Sequence, residues 1–303
     1  MKISVYLTSY NKERYLPHAI ESVLNQSLQP FEILIIDDCS TDNSIEIIKG
    51  YKSRYPDKIK FIINGKNLGI TKTRNLALKH CKGSVVTFLD GDDLFYKNKL
   101  LNEANILRSQ KNTSIVYSNF NYIDKQGKIL GSFSDDNHKP VIGNIFKETF
   151  LKDYNSTSGN NYIYEMFYKN CALDIGAYDE NIQLWEDWDF RIRMSKKYAY
   201  GYCININSAY RKLKSGLHNS DKESHYRELI KVYKKNKNLL NDLTTEEKNI
   251  VKNKVYARLK ILFLPICENN LNNRNYMQFL KDIIDFLLTF RMRKAIKYLM
   301  QLF

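Results

Sequence analysis

Four short apolar runs constrain this chain more than anything else in it. Ile3–Leu7, Glu32–Ile36, Lys60–Ile63 and Val85–Leu89 are rich in Ile, Val and Phe, and each stops at polar or Gly-containing sequence. That is the pattern of strands bounded by turns. Between them lie stretches of helical period. Leu16, Ile20, Val23 and Leu24 fall on one face, Ser44 is placed to cap a helix through Ile47 and Ile48, and Thr71 to cap the next. Strand, helix, strand, helix implies right-handed crossovers between parallel strands, with helices on both faces. The expected fold is α/β, a doubly wound, mainly parallel sheet, whose ligands bind at the carboxyl ends of the strands.

Residues 119–161 break this rhythm. They are rich in Asn, Asp, Ser and Gly with brief apolar runs, and read as a long, partly mobile active-site flank. A mixed region follows to about Lys214, and from Lys222 the pattern is helical. Thr245-Glu246-Glu247 marks a helix start ahead of Ile250, Val251, Val255, Leu259 and Leu262. Phe279, Ile283, Phe286, Leu287 and Phe290 mark another helix, followed by Arg291, Arg293, Lys294 and Lys297. No apolar run approaches the roughly 20 residues of a spanning helix, and the N-terminus turns polar by Thr8, too soon for a secretory signal.

Where the runs end, the sequence turns polar or acidic. Thr8-Ser9-Tyr10-Asn11 follows the first, Asp37-Asp38 the second and Asp90-Gly91-Asp92-Asp93 the fourth; Glu186-Asp187 sits between Trp185 and Trp188. Two carboxylates separated by one glycine can direct hard oxygen ligands at a single Mg²⁺ or Mn²⁺, which fills its shell with phosphate and water. An acidic turn looks the same, and Asp-x-Asp alone is common by chance. Asp38 is either a strand-ending turn residue or an acceptor for a base N–H, and Tyr10 has a ring to stack on that base. Arg74 suits a phosphate, a grip on Asp38, or a surface salt bridge. Tryptophan faces beside Glu186 and Asp187 suit a sugar and would desolvate a general base. The alternative is an anchored helix start whose acids favour the helix dipole.

Taken together and in order, five segments resemble the family-two inverting nucleotide-sugar glycosyltransferases of GT-A fold. They are Thr-Ser-Tyr-Asn at 8–11, Ile-Ile-Asp-Asp-Cys-Ser-Thr-Asp at 35–42, Asn-x-Gly-x-x-x-x-Arg-Asn at 67–75, Phe-Leu-Asp-Gly-Asp-Asp at 88–93 and Trp-Glu-Asp-Trp-Asp at 185–189. The resemblance implies a GT-A catalytic domain over 1–215 and a basic helical C-terminal extension over 216–303. It implies that Thr8, Tyr10, Asn11 and Asp38 hold base and ribose with Arg74 in support. Asp90 would contact ribose or metal, and Asp92 would be the principal ligand of Mn²⁺ or Mg²⁺. Asp187 would be the general base, Glu186 would orient the acceptor, and Trp185 and Trp188 would line the acceptor site. One departure stands out. Such enzymes often carry a histidine soon after a Tyr-Arg pair, whereas Tyr210-Arg211 is followed by Lys212, Leu213 and Lys214, with His218 further on. Arg211, Lys214 or His218 then reaches the phosphates or metal, or the loop is a basic surface.

The implied donor is a nucleotide sugar, a UDP-sugar by the fit of Asp38 and Tyr10 to uracil. The implied acceptor is a glycan or a lipid-linked glycan of bacterial surface polysaccharide synthesis. Five cysteines, an odd number with no close pair, fit a reduced, cytoplasmic setting. The formal charge of +14 calls for an anionic partner, and residues 222–303 carry 17 Lys/Arg against 8 Asp/Glu. Peripheral contact with the inner face of the cell membrane accounts for a basic amphipathic tail, as do a capping bundle and a dimer interface. Nucleic acid does not fit: the aromatics do not interleave with Lys/Arg, and acidic clusters would line the groove. A non-catalytic sugar- or nucleotide-binding module on the same fold is the alternative; Asp92 and Asp187 argue against it.

Overall fold

Each of the four apolar runs is a strand. The structure, a computed structural model, describes residues 1–133, 140–151, 164–213, 221–272, 278, 281–283 and 286. The chain divides into two units, 1–214 and 215–303. In the first, β1 (Ile3–Ser9), β2 (Glu32–Asp37), β3 (Ile59–Ile63) and β4 (Val85–Asp90) pair in parallel in the order β3-β2-β1-β4. All of β1 and β2 is buried. A strand paired on each side and covered on both faces has no solvent side, which is why these runs are nearly continuous rather than alternating. The crossovers are α1 (Leu16–Leu24), α2 (Ser44–Arg54) and α3 (Ile70–His80). α1 buries Leu16, Ala19, Ile20 and Val23, and Pro17 stands in its first turn, where its missing N–H costs nothing.

Past β4 the sheet becomes mixed. β5 (Leu94–Phe95), β6 (Thr113–Ile123), β8 (Met166–Tyr168) and β9 (Ala199–Arg211) continue it in the order β4-β8-β6-β9-β5, and β7 (Ile129–Ser132) pairs with the end of β6. β6 and β9 are parallel; β8, β7 and β5 run antiparallel to their neighbours. α4 (Lys99–Ser109), α5 (Phe146–Phe150), α6 (Lys169–Asp174) and α7 (Glu186–Lys197) complete the described elements of this unit.

Three local expectations are corrected. The flank beginning at residue 119 is in fact entered through β6, whose Asn119 and Asn121 are buried. Asn121 donates to the Tyr96 hydroxyl at 2.9 Å and accepts from Ser132 at 2.8 Å, so a polar composition conceals a strand with internally satisfied side chains. Ser44 does not cap α2: its Oγ accepts from the Lys12 N–H at 3.0 Å. Thr71 does not cap α3 either, because that helix starts from Gly69 at φ 84° and the Thr71 hydroxyl donates to the Ile182 carbonyl at 2.8 Å. In both cases a loop from elsewhere competes successfully for a hydroxyl that the helix could have used.

In the second unit Asp221 caps α8 (Lys222–Asn236) by accepting from the Ser224 N–H at 2.8 Å. Thr244 and Glu247 form a reciprocal capping box at the start of α9 (Thr245–Asn272). Val251, Val255 and Leu259 are buried, and Phe263 stacks on Phe286 at 4.7 Å. Phe279, Leu287, Phe290 and the basic run from Arg291 lie outside the described residues. Among the described residues no helix is long and apolar enough to cross a membrane.

One buried ion pair holds the mixed half of the sheet. Lys99 and Glu103 on α4 are fully buried and paired at 2.5 Å. Lys99 also donates to Thr87 and to the Tyr164 carbonyl at 2.8 Å each, and Glu103 accepts from Ser118 at 2.8 Å. Burial pushes the lysine down and the glutamate up from their ordinary values. Lys99→Met should therefore cost about 3–5 kcal/mol in urea unfolding, because it strands a buried carboxylate. Lys99→Met with Glu103→Leu should recover most of that loss; equal losses in both variants would show that charge pairing is not the cause.

Candidate active site

Strand register does the first part of the assembly. Thr8 stands opposite both Ile36 and Asp90, and Ser9 opposite Asp37, so three strand ends meet in one row. The Thr8 hydroxyl donates to Asp90 at 2.8 Å. The loops beyond are laced together: Ser40 Oγ donates to Asp37 at 2.7 Å and accepts from the Asn11 N–H at 2.9 Å, while Asn11 Oδ1 accepts from the Thr41 N–H at 2.8 Å. Asn11 and Cys39 take the left-handed conformation that these turns require. Tyr10, at the same edge, is 45% exposed. Asp38 is buried and accepts from Asn64 at 2.7 Å and from the N–H groups of Leu68 and Gly69 at 2.8 and 2.9 Å, which fixes the loop leading into α3.

The Asp-Gly-Asp turn follows β4. Gly91 donates to the Thr8 carbonyl at 2.9 Å, and a Cβ there would lie 3.1 Å from that oxygen, so the close approach favours glycine. Asp90 keeps 31% of its side chain open. Asp92 is 17% open and pairs with Lys12 at 2.5 Å through Oδ2. Asp93 points inward, accepting from the Tyr164 hydroxyl and, at 2.5 Å, from the Arg211 N–H. Burial and the charge of Asp92 hold its carboxyl well above the usual range. Among the described residues no group of three or more His, Cys, Asp or Glu converges on a point.

Arg74 joins this turn to α7. Its buried guanidinium donates to Asp90 at 3.2 Å and to Glu186 at 2.9 Å, lying over the rings of Phe88 and Tyr178. Trp185, at φ 66°, makes the sharp turn that sets Glu186 and Asp187 at the start of α7. Burial pushes the Glu186 carboxyl up from 4.5 to about 7 against the pull of Arg74, and the charge of Asp187 adds to the rise. Asp187 is 31% open and accepts from Arg191 at 2.6 Å. The half-buried phenol of Tyr210 is pushed up by burial and by the charges of Asp93, Asp90, Asp92 and Asp187. One hydroxyl thus feels the strand-end carboxylates and the α7 carboxylate together.

One expected contact is corrected. Trp188 is 1% exposed and donates to the Thr149 carbonyl at 2.9 Å; it anchors α7 in the core and does not line an acceptor surface. Arg211 is buried, donating to the carbonyls of Asp92 and Asp124 at 2.8 and 2.9 Å with its guanidinium over Tyr15, so it braces the acidic turn. Lys214 and His218 lie outside the described residues. Lys12, Tyr164, Glu165 and Arg191 escaped sequence reasoning. Arg191, one helical turn beyond Asp187, was readable from spacing; nothing local marks the other three.

The chain is similar to known proteins in sequence and in fold. The profile described as Glycosyl transferase family 2 fits residues 4–213. An uncharacterized glycosyltransferase of Methanocaldococcus jannaschii is 31% identical over 196 residues, 63% of each chain. The minor teichoic acid biosynthesis protein GgaA of Bacillus subtilis is 32% identical over 224 residues, 70% of this chain and 47% of that protein. The chain thus spans less than two thirds of the length of these relatives. Among solved structures, S. aureus TarS 1–349 matches with a TM-score of 0.67 at 20% identity, covering 97% of this chain and 82% of that one. Its complex with UDP-GlcNAc matches with a TM-score of 0.65 at 20% identity, covering 95% and 81%. At that identity the likeness is one of fold.

The raised Glu186 carboxyl has a consequence for stability. A folded-state value near 7 against an ordinary 4.5 means that the proton is held more tightly in the folded protein. That contribution is complete at low pH and is lost as pH rises through the folded value. Wild type should therefore lose stability relative to Glu186→Gln as urea unfolding is repeated from pH 4.5 to pH 7. A constant difference across that window would show that Glu186 does not titrate there.

Proposed function

The chain belongs to glycosyl transferase family 2, and from that premise we propose that it transfers a sugar from a UDP-linked donor to a hydroxyl of a cell-envelope glycan, with inversion. One observation carries this reading. The bonded sequence Thr8–Asp90–Arg74–Glu186 runs from the strand ends to the start of α7, where Asp187 stands partly open. Donor side and acceptor side are then parts of one rigid constellation.

In the proposed reaction Asp187 takes the acceptor hydroxyl proton as that oxygen attacks the anomeric carbon. The bond from this carbon to the diphosphate oxygen breaks, its electron pair leaving with the nucleoside diphosphate, and the single displacement inverts the centre. Tyr10 offers its exposed ring to the base, and Thr8 and Asp90 orient the ribose. Asp92 with Asp90 would hold Mn²⁺ or Mg²⁺, an ion commonly bound through one or two carboxylates plus substrate phosphates, whose charge offsets that developing on the diphosphate. Lys12 adds a cation at the same corner. Glu186, locked by Arg74, sets the acceptor against Asp187, and Trp185 flanks it. The uridine donor is favoured because TarS is described in complex with UDP-GlcNAc. A surface-polymer or lipid-linked acceptor is favoured because GgaA is named for minor teichoic acid biosynthesis. Contact of the C-terminal basic run with an anionic membrane face belongs to the same reading.

Nucleotide release from UDP-, GDP- and dTDP-sugars with Mn²⁺ or Mg²⁺ tests it. Turnover of a UDP-sugar is expected, lost in Asp187→Asn and in Asp92→Ala. Tyr10→Ala should weaken UDP binding about tenfold in calorimetry, the order of one base–aromatic stack. If no donor binds or turns over, the transferase reading gives way to a non-catalytic module.

A further inference from the structure

We infer that Arg191 is a positioning residue for the proposed base: clamped by the buried carboxylate of Glu165, its guanidinium fixes the direction and the charge state in which Asp187 meets the acceptor. The inference rests on the reading of Asp187 as the base.

Glu165 immediately precedes β8, and Arg191 lies one turn beyond Asp187 on α7; both side chains are 4% exposed. Arg191 Nε and Nη2 donate to the two oxygens of Glu165, the second at 3.1 Å. A guanidinium is planar, with its donors in a rigid fork, so two bonds to one carboxylate fix the plane of the whole group. The direction of Nη1 follows, and Nη1 donates to Asp187 Oδ2 at 2.6 Å.

Stability alone does not account for this pair. A buried ion pair is often replaceable by apolar residues at no loss. The same helix supplies a comparison. Arg193 has the same spacing from Asp189 and also pairs with it, but Asp189 is fully buried and Arg193 turns its remaining nitrogen, Nη1, to the Ile175 carbonyl. The Arg191 pair ends on a carboxylate that is 31% open.

The charges explain the arrangement. Asp187 is faced by Glu186 beside it on α7, by Arg191 from the same helix, by Glu165 through Arg191, and by Tyr210 of β9. Without Arg191 the acids that face it would drive it toward its protonated form, useless as a base. With Arg191 unshared it would be held ionised but weakly basic. Glu165 takes up part of that positive charge.

Asp187 can be followed directly in protein labelled with ¹³C at the aspartate carboxyls, its signal assigned as the one missing from Asp187→Asn. In Arg191→Met with Glu165→Gln, which leaves no buried charge unpaired, its titration should move up by about one pH unit or more. The acidic limb of Mn²⁺-supported hydrolysis of UDP-N-acetylglucosamine should move up with it, while UDP affinity stays unchanged. Glu165→Gln alone should move both downward. Arg191→Lys keeps the charge without the fork, so the titration should hold while the rate falls about tenfold to a hundredfold. Folded variants that titrate and turn over like wild type would make the pair merely structural and overturn the inference. Full turnover by Asp187→Asn is a different result: it removes the base reading itself, and this role with it.

Discussion

A single buried cation holds the candidate site together. Arg74 lies between the carboxylate that ends β4 and the one that begins α7, with aromatic rings beneath it. Removing an arginine from water costs several kcal/mol, repaid only by close partners of opposite charge. Asp90 and Glu186 are those partners, contributed by elements far apart in sequence. Their own repulsion makes the converse true as well. Without the cation between them the two carboxylates would face each other uncompensated.

The same accounting extends outward from Arg74. Asp38 is met by two backbone N–H groups and an amide, Asp92 by Lys12, Asp93 by a phenol and an N–H, and Asp187 by Arg191. Each acid has its own counter-group and therefore a fixed direction before any ligand arrives. Such preorganisation lets a site stabilise developing charge without first rearranging its own dipoles. The partners differ in how much they cover. Asp38 and Asp93 are buried, while Asp90 and Asp187 each keep about a third of the side chain open. The buried acids hold loops, and the open ones keep an edge toward solvent.

Much of this was legible in advance where the physics is local. A strand buried on both faces has to be apolar along its length, and it ends where polar loop residues begin, so β1, β2 and β4 and their polar or acidic ends stood out. Asp90, Asp92, Glu186 and Asp187 were picked out together with a reason for each. The misreadings share a different cause. Ser44 and Thr71 have the chemistry of helix caps, but remote loops claim their hydroxyls. Arg211 was one of several candidates for the phosphates, and its bonds to the carbonyls of Asp92 and Asp124 had no local sign. Trp188 looked like a sugar platform, and its ring is core.

What the amino-acid sequence determined by itself is the alternation of strands and helices, the identity of the residues at the strand ends, and the membership of the first two thirds of the chain in a glycosyltransferase family. These depend on periodicity and on neighbours a few positions away, which a linear string records. Tertiary structure alone decided which charge meets which: Lys12 on Asp92, Arg74 between Asp90 and Glu186, Glu165 on Arg191. A long cationic side chain can satisfy any acid within reach. Which acid is within reach depends on how remote segments pack, and that distance in space has no counterpart in sequence spacing.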